Sequence, residues 1–296
     1  MKKINKNICY KIARIIPDEL YLKIIYRIKL KKKLNLKKPR TFNEKLQWLK
    51  LYDRKEIYTT MVDKYEVKKY VADIIGKEYI IPTLEVYKTF DEIDFQNLPE
   101  KFVIKCTHDS GGLVICRNKN NFDSINAKKI IEKSLNNNYY YLGREWPYKN
   151  VQPRIIIEEY MEDEETKELR DYKFFCFNGI VKYFKIDFNR EINHRANYYD
   201  RKGNLQYFGE CICPPEYNKK IDKPKNLAKM IKLSETLSKN HMFLRVDFYE
   251  VNNKIYFGEL TFYPCSGFGK FEPEEYDEIL GSMLKLNIEG DKNAKS

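Results

Sequence analysis

Two runs near the C-terminus, FLRVDFYEV and KIYFGELTFYP, carry carboxylates at a spacing that suits a metal ion. They read as the strands of one hairpin around Asn252 and Asn253. The first run alternates, with Phe243, Arg245, Asp247, Tyr249 and Val251 on one face and Leu244, Val246, Phe248 and Glu250 on the other. A two-residue loop would pair Asp247 with Gly258 and turn Glu259 to the opposite face. A three-residue loop, Asn252 to Lys254, sets Asp247 across from Glu259 and Arg245 across from Thr261, all on one face; this is the register we expect. Opposed carboxylates repel unless a cation lies between them. An all-oxygen ligand set suits Mg²⁺, which keeps waters and bridges to phosphate oxygens. Without a metal, the same residues form a half-buried hairpin of solvated acids partnered by Arg245.

A second stretch, FVIKCTHDSGGLVICRN, reads as strand, short polar loop and strand, with Lys105 on the first strand and Ser110-Gly111-Gly112 at the tip. Glycines let backbone N–H groups approach a phosphate with no Cβ in the way, and the lysine supplies opposing charge. An ordinary hairpin turn would read the same way. It is not a Walker loop, because no glycine-lysine-serine/threonine opens a helix.

The remaining segments must position these two. Before them, TFNEKLQWLKLY is a helix with Thr41 and Glu44 as its capping box. MVDKYEVKKYVADIIG is a helix closed by Gly76, and YIIP a short strand. Residues 126 to 137 form a helix capped by Asn126, followed by the loop NNNYYYLGREWPYKN. RIIIEEYM is a strand that stops at Glu158-Glu159-Tyr160-Met161. RDYKFFCF and IVKYFKIDF flank Asn178-Gly179, the strongest hairpin signal in the chain. ANYYDRKGNLQYF turns around Lys202-Gly203, a helix spans 226 to 240, and PEEYDEILGSMLKL closes the chain as a helix. The order gives an α+β class with no internal repeat and no linker-like boundary.

The net charge of +12 suggests nucleic acid until it is located. Residues 1 to 40 hold 14 Lys/Arg against Asp18 and Glu19, which leaves the other 256 residues neutral. A nucleic-acid enzyme would line its groove with the excess, so no nucleic-acid partner is expected. The leader repeats Ile4, Ile8, Ile12, Ile15 and Ile16 at helical spacing, breaks at Pro17-Asp18, and resumes from Leu20 to Leu30. Such a basic helix either lies on anionic lipid or packs its stripe on the body. No apolar run spans a membrane or forms a signal peptide, so we expect a cytoplasmic protein, peripheral at the inner face of the plasma membrane if the leader binds lipid. Seven scattered cysteines read as reduced core thiols, and the lone Cys211-x-Cys213 lacks the second pair that zinc needs.

Taken in order, these motifs resemble those of the ATP-grasp enzymes, and nearly the whole chain, from about Leu20 to Leu286, resembles the TupA-like ATP-grasp family of cell-surface glycan loci. The resemblance implies an ATP-grasp fold of two α+β lobes that clamp ATP, here with a basic helical region at 1–60 packed on a catalytic domain at 61–296. Asp63-Lys64 resembles the first lysine site, and Lys105 with Ser110, Gly111 and Gly112 the second lysine and its mobile cover. Glu158, Glu159, Tyr160 and Met161 resemble the hinge that contacts adenine, and Asp171-Tyr172-Lys173 the D-x-R or D-x-K signature. Arg245, Asp247 and Glu259 match the R-x-D and E-x-N elements, except that Thr261 stands where the superfamily usually has Asn.

The implied activity is ATP- and Mg²⁺-dependent ligation of a carboxylate to an amine through an acyl phosphate. The implied substrates are an amino acid and an acidic or lipid-linked glycan of the cell surface. Arg245 and Lys173 count as catalytic, and Arg190 and Arg195 either receive the anionic acceptor or lie exposed. A sugar kinase on the same fold, a glycosyltransferase-like glycan enzyme and a non-catalytic ATP-binding scaffold at the membrane surface are the alternatives.

Overall fold

In a computed structural model of the chain, the described residues are 14–165, 169–189 and 193–288. Ile4, Ile8 and Ile12 of the leader, and Arg190, lie outside them. Among the described residues no helix is long and apolar enough to cross a membrane.

The chain opens with helix α1 (Asp18–Leu30) and α2 (Phe42–Tyr52). The capping box of α2 forms as expected: the Glu44 N–H donates to Thr41 Oγ1 at 3.2 Å and the Thr41 N–H to Glu44 Oε2 at 3.2 Å. The next expected helix is two helices, α3 (Ile57–Val62) and α4 (Glu66–Ile75), broken at Asp63-Lys64-Tyr65. The Asp63 carboxylate causes the break, because it accepts from the N–H groups of Tyr65 at 2.8 Å and Glu66 at 3.3 Å and so caps α4. The expected strand YIIP is displaced beyond Pro82, to β1 (Thr83–Tyr87), since proline cannot donate to a ladder. Then follow β2 (Phe102–Cys106), β3 (Leu113–Cys116), α5 (Ser124–Leu135), α6 (Tyr140–Gly143) and β4 (Ile155–Glu159). Asp123, not Asn126, caps α5: its side chain accepts from the Asn126 N–H at 2.9 Å. The segment expected as a loop contains α6 and a turn of 3₁₀ helix at Trp146–Asn150.

The antiparallel strands continue with β5 (Asp171–Phe177), β6 (Ile180–Phe188), β7 (Arg195–Asp200), β8 (Leu205–Gln206) and β9 (Gly209–Glu210). After α7 (Leu227–Ser238) come β10 (Phe243–Val251), β11 (Lys254–Thr261), β12 (Phe271–Glu272) and α8 (Tyr276–Met283). The Asn178-Gly179 turn forms with φ of 49° and 80°. The last hairpin departs from expectation. Its turn is the two residues Asn252 and Asn253, at φ 50° and 62°, because asparagine tolerates the left-handed region that a tight turn requires. Burial along β11 then slips by one: Ile255 and Phe257 are buried, and after them Leu260 and Phe262. Between them Gly258 is half-buried and Glu259 exposed.

The chain divides into two compact units, neither contiguous in sequence. The first takes the segment ending at Leu22, Lys50–Leu169 and Phe248–Leu260, and the second takes Lys23–Leu49, Arg170–Asp247 and the segment from Thr261. Of residues 14–60, those up to Leu22 and from Lys50 thus belong to the first unit and Lys23–Leu49 to the second.

In the first unit, a four-stranded sheet has the order β1-β4-β2-β3. Phe102, Ile104 and Cys106 of β2 and Ile155 and Ile157 of β4 pack on Ala127 and Ile131 of α5. By the two-residue period of a strand, Val103, Lys105, Ile156 and Glu158 face the other way. The second sheet has the order β11-β10-β5-β6-β7-β8. In the second unit α7 lies on β5 and β6. A ladder of Phe174, Phe184 and Tyr199 fills one side of the sheet, with ring centroids 5.5 and 5.2 Å apart. The first helix after the leader is bound into this unit as well: Phe42 packs edge-on to Phe243 at 5.0 Å, and Lys45 Nζ donates to the Gly281 and Leu284 carbonyls that end α8.

Candidate active site

In the first unit, the predicted nucleotide residues gather around β2 and its loop. Lys64, at the break between α3 and α4, donates through its backbone to the Thr107 carbonyl at 3.0 Å. Its ammonium donates to the Cys106 carbonyl at 3.2 Å and to the Asp109 carbonyl. Burial pulls that ammonium below the usual lysine pKa, against the Glu259 and Asp109 carboxylates that favour the charge. Lys64 therefore reaches the loop that follows Lys105.

That loop is fixed at its base and open at its tip. His108 Nε2 lies 3.1 Å from the Ser134 and Asn137 carbonyls, two acceptors that require the Nε2–H tautomer. Asp109 accepts from the Gly112 N–H at 3.0 Å and from the Ser134 hydroxyl. The Gly112 N–H is thus committed within the loop. Its missing side chain serves packing, since a Cβ there would meet Ser134 Oγ and would sit 2.6 Å from the Cys106 Cβ. Gly111 differs: a Cβ would meet only Asp109, at 3.6 Å, and Ser110 and Gly111 are both exposed. The Tyr139 hydroxyl bonds to Ser110, and burial, with the nearby acids, raises its pKa to about 12.

Lys105 and Glu158 meet on the face of the sheet away from α5, at 2.5 Å. The other Glu158 oxygen lies 2.5 Å from Lys68, which also donates to the Ile81 carbonyl and the Thr83 hydroxyl. Burial disfavours the Glu158 anion, but the two lysines outweigh it and hold the carboxyl below its usual range. Lys68 was missed from the sequence; its signal was a second lysine four residues after Lys64 on one segment. Glu159 is exposed, while Tyr160 and Met161 are half-buried. The Tyr160 hydroxyl accepts from Arg117 at 3.3 Å. Glu259 is an exposed residue of this unit.

The second unit carries a charged sheet face. Asp171 stands opposite Asp187 and Lys173 opposite Lys185 across β5 and β6. Like charges directly opposed are unfavourable, and the diagonal contacts offset them. Lys173 Nζ lies 2.5 Å from Asp187 and 3.1 Å from Asp171, and Lys185 Nζ lies 2.5 Å from Glu210. All five side chains are buried. Burial opposes ionisation of Asp187, yet Lys185, His194 and Lys173 hold it far below the usual carboxylate range. His194 Nε2 is 3.2 Å from Asp187, and its Nδ1 is 3.4 Å from the Cys213 thiol. Nearby on β10, Arg245 grips Asp247 bidentately at 2.7 and 2.6 Å. Arg195 begins β7 opposite Phe188 and is half-buried, as is Thr261.

Replacing buried ion pairs by apolar groups is often neutral or stabilising, so burial of this network is by itself no argument for stability. Lys185, Asp187, His194 and Glu210 were not expected from the sequence. The signal lay in IVKYFKIDF, where Lys185 and Asp187 sit two apart, as Asp171 and Lys173 do on the paired strand. Burial raises the Cys106 thiol to about 11 and the Cys176 thiol to about 12, which disfavours their thiolates.

Against known proteins, the family model described as TupA-like ATPgrasp matches residues 44–285. No curated protein matches the chain. Among solved structures, the chain is similar to D-alanine-D-alanine ligase from Helicobacter pylori, at 16% identity over 82% of this chain and 69% of that one, with a TM-score of 0.40. The D-alanine–D-alanine ligase of Bacillus anthracis, solved with ATP, gives 14% identity over 68% and 53%, with a TM-score of 0.38. A RimK domain ATP-grasp protein from Sphaerobacter thermophilus gives 10% over 77% and 69%, at 0.40.

Proposed function

The chain belongs to the TupA-like ATP-grasp family, and on that footing we propose that it is an ATP- and Mg²⁺-dependent carboxylate-amine ligase. Its substrates are an amino acid and an acidic sugar of a cell-surface polysaccharide or its precursor. The observation that carries this reading is the span of the family match: residues 44–285 include both predicted lysines, the glycine loop, the acidic strand end and the carboxylate hairpin.

Lys64 and Lys105 supply the cations for the ATP phosphates, beneath Ser110 and Gly111. Residues 158–161 line the adenine. In this arrangement Lys105 exchanges its Glu158 contact for phosphate oxygens. Asp247, Glu259 and Thr261 would hold Mg²⁺, and their hard-oxygen donors fit it. Among the described residues no group of three His, Cys, Asp or Glu could hold a metal ion. When bound, the ion neutralises charge on the phosphate oxygens.

In the reaction, an oxygen of the sugar carboxylate bonds to the γ-phosphorus while the bond to ADP breaks. The amine nitrogen then bonds to the acyl carbon, phosphate departs with the acyl C–O bond, and the amine releases a proton. Arg245 and Lys173 neutralise the acyl phosphate and the leaving phosphate, and Arg195 receives the anionic acceptor. Mass spectrometry of mixtures containing ATP, Mg²⁺, acidic glycan and amino acids tests this. ADP, phosphate and an amide-linked glycan are expected; a phosphorylated glycan formed without any amine would replace the ligase with a kinase.

A further inference from the structure

We propose that the solvent face of α1 docks on an anionic lipid bilayer. With 3.6 residues per turn, Leu20, Ile24 and Ile28 form one stripe along the helix, and they are 51%, 43% and 57% exposed. Leu22 and Tyr26, on the opposite side, are 0% exposed and anchor the helix. Lys23 and Arg27 interleave with the stripe on its own face. Beyond the helix, Lys31, Lys32, Lys33, Lys37, Lys38 and Arg40 are all exposed.

Charge singles out the occupant. Residues 14–40 carry ten Lys/Arg against Asp18 and Glu19, and Asp18 is occupied by Arg54 at 2.7 Å and Arg144 at 3.0 Å. A second copy would bring the same positive face and repel it. Nucleic acid would satisfy the cations but leave the aliphatic stripe in water, whereas a bilayer interface takes both. The aliphatic groups enter the acyl boundary, and the long basic side chains reach the phosphates around them. The surface needs no turnover, so it stands or falls independently of the ligase reading.

The test is co-sedimentation of the full chain with vesicles of phosphatidylcholine, alone or with about a third phosphatidylglycerol, at about 50 mM and about 500 mM salt. Binding is expected only to the anionic vesicles and should weaken at least about tenfold at high salt. The triple variant Leu20→Ser, Ile24→Ser, Ile28→Ser should weaken it about tenfold or more while keeping the thermal midpoint, since all three side chains are exposed. Equal binding to neutral vesicles, or no binding to either, overturns the proposal. So does a parent dimer that the triple variant turns into monomer, which would make the stripe an interface between copies.

Discussion

Replacing Glu158 with Gln tests the ionic centre of the first unit. The carboxylate is 4% exposed and lies 2.5 Å from both Lys68 and Lys105. Removing one partner from a buried pair costs about 3–5 kcal/mol. Here the lysine side chains are 14% and 24% exposed and regain some hydration, so we expect a loss of about 2–4 kcal/mol. At about 2–4 °C per kcal/mol for a body of this size, the midpoint of the first unit should fall by roughly 4–16 °C at pH 7. Urea unfolding with an unchanged slope would measure the same difference. The pH dependence supplies a second check. The folded carboxyl titrates below its usual range, so its contribution is present above the unfolded value near 4.3 and is lost as the pH falls through the folded one. The gap between parent and Glu158→Gln should therefore close below about pH 4. A variant as stable as the parent at pH 7, or a gap that persists in acid, would refute the reasoning.

Three further outcomes follow from the same geometry. Lys105→Ala should abolish Mg·ATP binding by calorimetry while the chain stays folded, and unchanged affinity would remove Lys105 from the nucleotide site. Asp247→Asn and Glu259→Gln should each lower turnover by a factor on the order of 10² and remove the Mg²⁺ dependence of ATP binding; retention of both would dismiss the metal assignment. Gly112→Ala should destabilise the first unit through its clash with Ser134 and Cys106, whereas Gly111→Ala, with only Asp109 at 3.6 Å, should leave stability unchanged, as thermal melts would record.

The local signals in the sequence determined most of the elements. The capping box of α2, the Asn178-Gly179 turn and the β-branched run of RIIIEEYM each act within a few residues, and all three appear where their chemistry places them. Lys105, the Ser110-Gly111 tip and the Arg245–Asp247 pair were legible for the same reason. What failed were choices between local alternatives. Asp63 caps a new helix instead of continuing the old one, and two asparagines accept positive φ in a turn one residue shorter than expected. Only the tertiary structure decided the rest. Lys68 joins Glu158, and Lys185 and Glu210 join the Asp171–Lys173 ladder, through contacts between residues distant in sequence, which no periodicity records. Which segments make up each unit was equally hidden: each unit is assembled from separated segments, and one boundary falls inside β10, where the backbone hydrogen bonding of a strand leaves no linker composition to read.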